Sequence, residues 1–170
     1  VQSELDQDVW SSDGWKQEEY LSGIDPVAVG HIISSQNEYR KMILGEGGSS
    51  DTQVRLLKKA IDVDSNFQWA YTMLALASHQ GHWEGRLSLQ TARATAHDAI
   101  KRAMDLDPNH FQVKNQLAQI HLYLDLDYAQ SRVLIEQLLD LDPQYPWPHI
   151  FLAMIHLREG RTSDVLKRLA

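Results

Sequence analysis

The chain has 170 residues, 43% of them hydrophobic and 23% charged, and no cysteine. That is enough for one domain with a real core, and it leaves nothing from which to build a disulfide or a cysteine–zinc site. A net charge of −7 and a pI near 5.5 argue against a nucleic-acid footprint and read as solubility, with no acidic tail, and no apolar run approaches the ~18 residues of a membrane span.

Residues 1–24 open with VQSELDQDVW, polar and acidic, neither a signal peptide nor an initiator-Met start. They read as an arm or as the end of a preceding module, and the chain as a fragment or processed product. Trp10 and Trp15 imply that part of this segment docks, and the first helices are the expected dock. Asp25–Pro26 then looks like an N-cap followed by proline at the first helical position. That helix is expected to run to about Leu44 through Val27, Val29, Ile32, Ile33, Tyr39 and Ile43. GEGGSS, residues 45–50, is a flexible break. Asp51 is the expected cap of the next helix, which carries Val54, Leu57 and Ile61 at helical spacing.

A third helix is expected from Gln68 to about His79, stopped by Gly81, with a loop from His82 to about Gln90. Ala92, Ala94, Ala96, Ile100 and Ala103 mark a long fourth helix, and its small residues suit close approach of two helix axes. Phe111 to Leu124 is the fifth, LDLDY the break, and Ala129 to Leu139 the sixth. Pro146 opens a seventh that reaches Arg158 and is ended by Gly160. A last helix opens near Ser163, with Leu166 and Leu169 unpaired. No strand pattern competes, so the fold class is all-α, about eight helices in antiparallel pairs.

Three helix ends repeat one another: AIDVDSNF, RAMDLDPNH and LLDLDPQYP, with Ser65, Pro108 and Pro143 at matching turn positions. Spacings of 43 and 35 residues approach the length of a helix–turn–helix repeat, which cannot bury its apolar face alone and must stack.

The pattern resembles the tetratricopeptide repeat. Ala96, Ile100, Ala103 and Pro108 match the second-helix signature in full, Ser131, Ile135, Leu138 and Pro143 less strictly, and Gln53, Leu57, Ala60 and Ser65 as a degenerate copy. Leu74–Ala75, Leu117–Ala118 and Leu152–Ala153 match the apolar–small pair of first helices. The resemblance covers roughly residues 26–170, and it implies a right-handed superhelix of about four hairpins, the last incomplete. About nine extra residues at His82 to Gln90, and a one-residue expansion before Asp127–Tyr128, are similar to the repeat region of bacterial winged-helix transcriptional activators. Similar regions accompany class III adenylate cyclases.

The resemblance also implies a concave face built by first helices, which binds extended or helical peptides. It places Thr72, Leu76 and His79 toward the groove in one repeat, Asn115, Gln119 and Tyr123 in the next, and Phe151, Met154 and Arg158 in the last.

Candidate chemistry is thin beside this. His79 and His82 straddle the expected helix end, and His149 and His156 stand two turns apart, roughly 10 Å, without a converging carboxylate. The pairs Asp62/Asp64, Asp105/Asp107, Asp125/Asp127 and Asp140/Asp142 fail the calcium-loop pattern and read as turn formers. There is no GxSxG and no phosphate loop, and GEGGSS has glycines without the Lys-Ser/Thr that phosphate binding needs. The expectation is therefore a non-catalytic interaction or regulatory domain with no cofactor and no metal, contacting a protein or peptide. Neither nucleic acid nor membrane is expected as a partner of this segment. A self-association module and, more remotely, a small-molecule sensor near Trp83 are the rivals. A cytoplasmic location is expected, with a periplasmic domain of an anchored regulator as the alternative.

Overall fold

The computed structural model describes residues 23–161. The expected N-terminal arm with Trp10 and Trp15, and the expected last helix with Leu166 and Leu169, lie outside the described residues. Within them the chain is all-helical: α1 (Pro26–Ile43), α2 (Ser50–Val63), α3 (Gln68–Trp83), α4 (Leu89–Leu106), α5 (Phe111–Gln119), a π-helical continuation (Ile120–Asp125), α6 (Tyr128–Leu141) and α7 (Pro146–Arg158). No strand occurs among the described residues.

Short connections make neighbours antiparallel. α1 packs on α2, α2 on α3, α3 on α4, α5 on α6, and α6 on α7, while α3 and α4 each also touch α5. Helix starts follow from capping chemistry. The Asp25 carboxylate accepts the Val27 N–H at 2.7 Å with Pro26 behind it, Ser88 Oγ accepts from Thr91, and Asp127 accepts from Gln130. The second helix is capped by Ser49, not by Asp51 as expected: Ser49 has extended backbone and its Oγ accepts the Thr52 N–H, which puts Asp51 in the first turn, where its charge suits the dipole.

The three repeated Asp turns share one geometry. Asp64, Asp107 and Asp142 each leave the helix in an extended conformation. Each uses its carboxylate to accept the N–H two residues on, from Asn66 at 2.9 Å, Asn109 at 3.1 Å and Gln144 at 3.0 Å. Each backbone carbonyl then accepts from the residue three on: Phe67, His110 and Tyr145. Local hydrogen bonds of this kind are why Asp is tolerated where the helix dipole disfavours it.

The main core lies between α1, α2, α3 and α4 and is capped by Val113, Ile120 and Leu124 of the fifth helix. Ala96, Ile100 and Ala103 are 0%, 2% and 0% exposed, so the signature residues do sit in the interior. A second cluster of Ala118, Leu122, Ile135, Phe151, Leu152 and Ile155 joins α5, α6 and α7.

Two glycines set how the first hairpins close. At Gly48 a Cβ would stand 2.2 Å from the Glu38 carbonyl oxygen, so only glycine lets the GEGGSS connection lie against α1. Gly81 does not stop α3, contrary to expectation. The helix runs on to Trp83, and the missing Cβ leaves room for Leu87, whose Cδ1 would otherwise meet it at 2.9 Å. The Arg86 and Leu87 N–H groups both donate to the Gly81 carbonyl. The insertion expected as a long loop is therefore divided between the end of α3, a short link (84–88) clamped onto it, and the start of α4.

The fifth helix also differs from its expected form. It widens at Ile120, where the Leu126 N–H reaches the His121 carbonyl, and ends with Leu126 in the left-handed region at φ 58°. The one-residue expansion seen in the sequence is absorbed as a π turn within the helix.

Candidate functional site: an aromatic face on the first helices

Ring contacts join α3, α5 with its π turn, and α7. Tyr123, on the π turn, is the joint between them. Its ring stacks on His79 at 4.7 Å with 12° between planes, meets Trp83 edge-on at 5.0 Å, and meets Phe151 edge-on at 6.2 Å. His79 and Trp83 pack at 4.5 Å, and Phe151 in turn stacks with Trp147 at 6.2 Å. The Tyr123 hydroxyl points at the Met154 sulfur, 3.1 Å away. Five rings and a thioether thus run across three helices, each pair in an offset or edge-on arrangement worth about 0.5–1.5 kcal/mol beyond its area.

Four of the residues expected on the concave face, His79, Tyr123, Phe151 and Met154, are brought together here. The others are not. Thr72 is buried and donates to the Gln68 carbonyl, and Leu76 is half-buried against the main core. Asn115 is buried and donates to Gln112, whose amide in turn donates to the Tyr145 hydroxyl at 3.2 Å. Gln119 is half-buried, and Arg158 is exposed at the end of α7. The two residues that give the face its solvent contact, Trp83 at 65% exposed and Trp147 at 49%, are not among the expected concave-face residues; Trp83 enters the sequence reading only as the place of the rival small-molecule sensor. Trp83 is expected in a loop because Gly81 reads as a helix end, and in the last repeat the pattern points to Phe151, Met154 and Arg158, not to Trp147.

The polar groups of the face are unusual. Both ring nitrogens of His79 are buried without a hydrogen-bond partner; off the face, Asn115 Oδ1 and Gln116 Nε2 of α5 are buried in the same way. Burial, and to a lesser degree the neighbouring His82, pushes the His79 pKa down to about 4, so the ring is neutral at pH 7. Burial also raises the Tyr123 pKa, which keeps its hydroxyl a donor. An unmade hydrogen bond in the interior costs about 1–3 kcal/mol, so this face stores unmet polar capacity beside exposed tryptophan.

No group of three or more His, Cys, Asp or Glu that could hold a metal exists among the described residues. His149 approaches the Pro143 carbonyl at 2.8 Å, and His156 meets Arg132 at 3.2 Å. Asp125, expected as a turn former, is instead the centre of a cross-helix cluster. Its carboxylate accepts from His97 and His121 at 2.9 and 3.0 Å and pairs with Arg93 Nε at 3.0 Å, while Arg93 also donates to the Leu124 carbonyl. These contacts fasten the π turn to α4. At GEGGSS, a shallow depression of about 470 Å³ is lined by Met42, Gly45, Gly47, Gly48, Glu84 and Arg86. Arg86 is already engaged by Glu84 at 2.7 Å and Asp51 at 3.0 Å, so it offers no free cation to a phosphate.

No helix among the described residues is long and apolar enough to cross a membrane. The chain matches no family model and no curated protein.

Proposed function

We propose that this is a non-catalytic peptide- or protein-docking domain of the tetratricopeptide kind, serving as the regulatory part of a longer bacterial signalling or transcription protein. The observation that carries the docking role is the aromatic run itself. Trp83 and Trp147 stand exposed at its two ends, while His79, Tyr123 and Phe151 fix it from beneath. Tryptophan held rigidly beside buried aromatics is the composition of interface hot spots, because large apolar area is offered at little entropic cost. The repeated Asp turns, the apolar–small pairs and the alanine contacts support the tetratricopeptide reading. The bacterial regulatory setting rests on the resemblance of the insertion and expansion sites alone.

The test is capture of partners from the source cell by the full-length gene product and by its Trp83→Ala/Trp147→Ala variant. Both side chains are about half or more exposed, so the fold survives their loss. Partners that fall away from the variant support the reading, and an unchanged set of partners removes it.

A further inference from the structure

The apolar interior is in two parts. One cluster is built by α1 to α4 and takes Val113, Ile120 and Leu124 from the fifth helix; the other is built by α6 and α7 and takes Ala118 and Leu122 from it. Among the described residues the fifth helix, α5 with its π turn, is the one element that enters both. α6 packs on the fifth helix and on α7, and no comparable packing joins α6 or α7 to α1, α2, α3 or α4. The ring contacts that lead from α3 to α7 run through Tyr123. Two bodies, each with its own core, therefore meet along one helix. Bodies of that kind move as units, and the motion collects in a few residues at the joint.

The joint is also where the helix is least regular. Leu126 and Asp127 both send their N–H groups to the His121 carbonyl, and Leu126 sits at φ 58°. Sharp bends in helices fall at π turns. Side chains of this turn are divided between the bodies: Ile120 and Leu124 pack in the first cluster, Leu122 and Tyr123 in the second. The polar tie between the turn and α4 is Asp125. It pairs with Arg93 and His97, whose side chains are 44% and 40% exposed, and with His121 of its own turn.

We propose that the π turn is a hinge: α6 and α7 swing as one body against α1–α4 by bending at Ile120–Asp125, and Asp125, held by Arg93 and His97, is the latch that fixes the observed bend. A half-exposed ion pair suits a latch. It holds a geometry weakly and yields to salt or to a competing charge, which an apolar core does not. The hinge itself needs no partner. Its consequence for the aromatic face rests on the docking reading: Trp83 belongs to one body and Trp147 to the other, so the bend sets the span of the face. A ligand that holds both tryptophans at the observed bend and the closed latch then strengthen each other, because each favours the same state.

The chain has no cysteine, so pairs of nitroxide labels can be introduced without background. Lys59→Cys on α2 and Gln137→Cys on α6, both exposed positions, report across the hinge, and Lys59→Cys with Lys101→Cys on α4 reports within the first body. The label-to-label distance is read by pulsed electron spin resonance on the full chain. The cross-hinge pair should give one narrow peak. Asp125→Asn, Arg93→Gln/His97→Gln and ~1 M salt, where charges are screened beyond ~3 Å, should each turn it into a broad or split distribution. The within-body pair should keep its peak in all three. A cross-hinge peak that none of these broadens overturns the inference, as does one already broad in the unaltered chain. Equal broadening of both pairs overturns it too, since that is loosening of the whole fold. The salt arm leaves the latch residues in place, so it decides even where a variant does not fold. Partner capture by the Trp83→Ala/Trp147→Ala variant is read separately: a rigid joint with partners still lost on that variant removes the hinge and leaves the docking face standing.

Discussion

The α3–α4 and α5–α6 hairpins come from the same sequence pattern and are joined in opposite ways. In the first, small residues do the work. Ala92, Ala96, Ala99 and Ala103 line α4 at 0–4% exposure, Gly81 lets Leu87 fold back, and the link is clamped from outside by Arg86 between Asp51 and Glu84. In the second, the interior position equivalent to Ala96 is Ser131, whose hydroxyl donates to the Ala118 carbonyl at 2.9 Å, and the hairpin is entered through a π turn tied to α4 by Asp125. The difference teaches what each is for. A close-packed alanine contact leaves nothing to rearrange, whereas the π turn presents Tyr123 to both neighbouring first helices and so makes the aromatic face possible.

The largest effect is expected from the packed hairpin. Ile100→Ala removes a side chain 2% exposed from the main core, where the other buried apolar residues of α4 are alanines. It should lose about 2–5 kcal/mol, read as a fall in the urea midpoint with an unchanged slope. Ala96→Leu should cost a comparable amount by overpacking, about 1–3 kcal/mol. If that variant were neutral, the close approach of α4 to its neighbours would be wrong.

Next in size is a pH effect on the aromatic face. The folded His79 pKa of about 4 lies below the unfolded value of 6.5. Between these two, the unfolded chain binds a proton that the folded chain does not, so stability contributed by the neutral ring is whole above pH 6.5 and drains as pH falls to 4. The loss approaches roughly 3 kcal/mol for a shift of this size. His79→Phe should flatten that slope between pH 4 and 6.5 while retaining the stack on Tyr123. An unchanged slope in that variant would mean that the ring is not buried as described.

How much of this could be read from residues alone follows from the range of the interactions. The Asp64, Asp107 and Asp142 turns were legible because every bond in them spans two or three residues. The alanine stripe of α4 was legible because helical periodicity is local. Gly81 misled because glycine inside a helix and glycine ending one look alike until Leu87, six positions on, is seen to need the space. Asp125 was missed for the same reason at longer range: Arg93 and His97 stand about thirty positions upstream. Among site residues, His79, Tyr123, Phe151 and Met154 were reached through the repeat pattern, whereas Thr72 and Asn115 satisfy that pattern and are nonetheless sealed by their own local hydrogen bonds.

A smaller effect separates the two hairpins at the Asp125 cluster. Asp125→Asn keeps the shape but removes the charge that holds Arg93 and both histidines, at a cost of about 1–3 kcal/mol. Hydrogen exchange should quicken in Ile120–Asp125 and leave α3 protected. Equal loosening of both would show that the π turn is fastened by packing and not by Asp125.

The smallest change is expected at Leu126, and its sign is the informative part. This residue is 56% exposed and sits at φ 58°, ψ 26°, where an L side chain with a Cβ costs about 1–2 kcal/mol. Leu126→Gly removes that strain but also frees the unfolded chain, a loss of about 0.5–1 kcal/mol, so the net gain should be under about 1 kcal/mol. Leu126→Asn tolerates the same backbone with less added freedom and should gain at least as much. Both depend on the π turn being the resting state of the fifth helix. If the segment spent its time as an ordinary α-helix with Leu126 at negative φ, glycine there would destabilise instead, and Tyr123 would turn away from His79. A thermal midpoint that rises in both variants, with the Tyr123 ring signals unmoved, therefore ties the strained residue at the end of the helix to the aromatic face that it helps to aim.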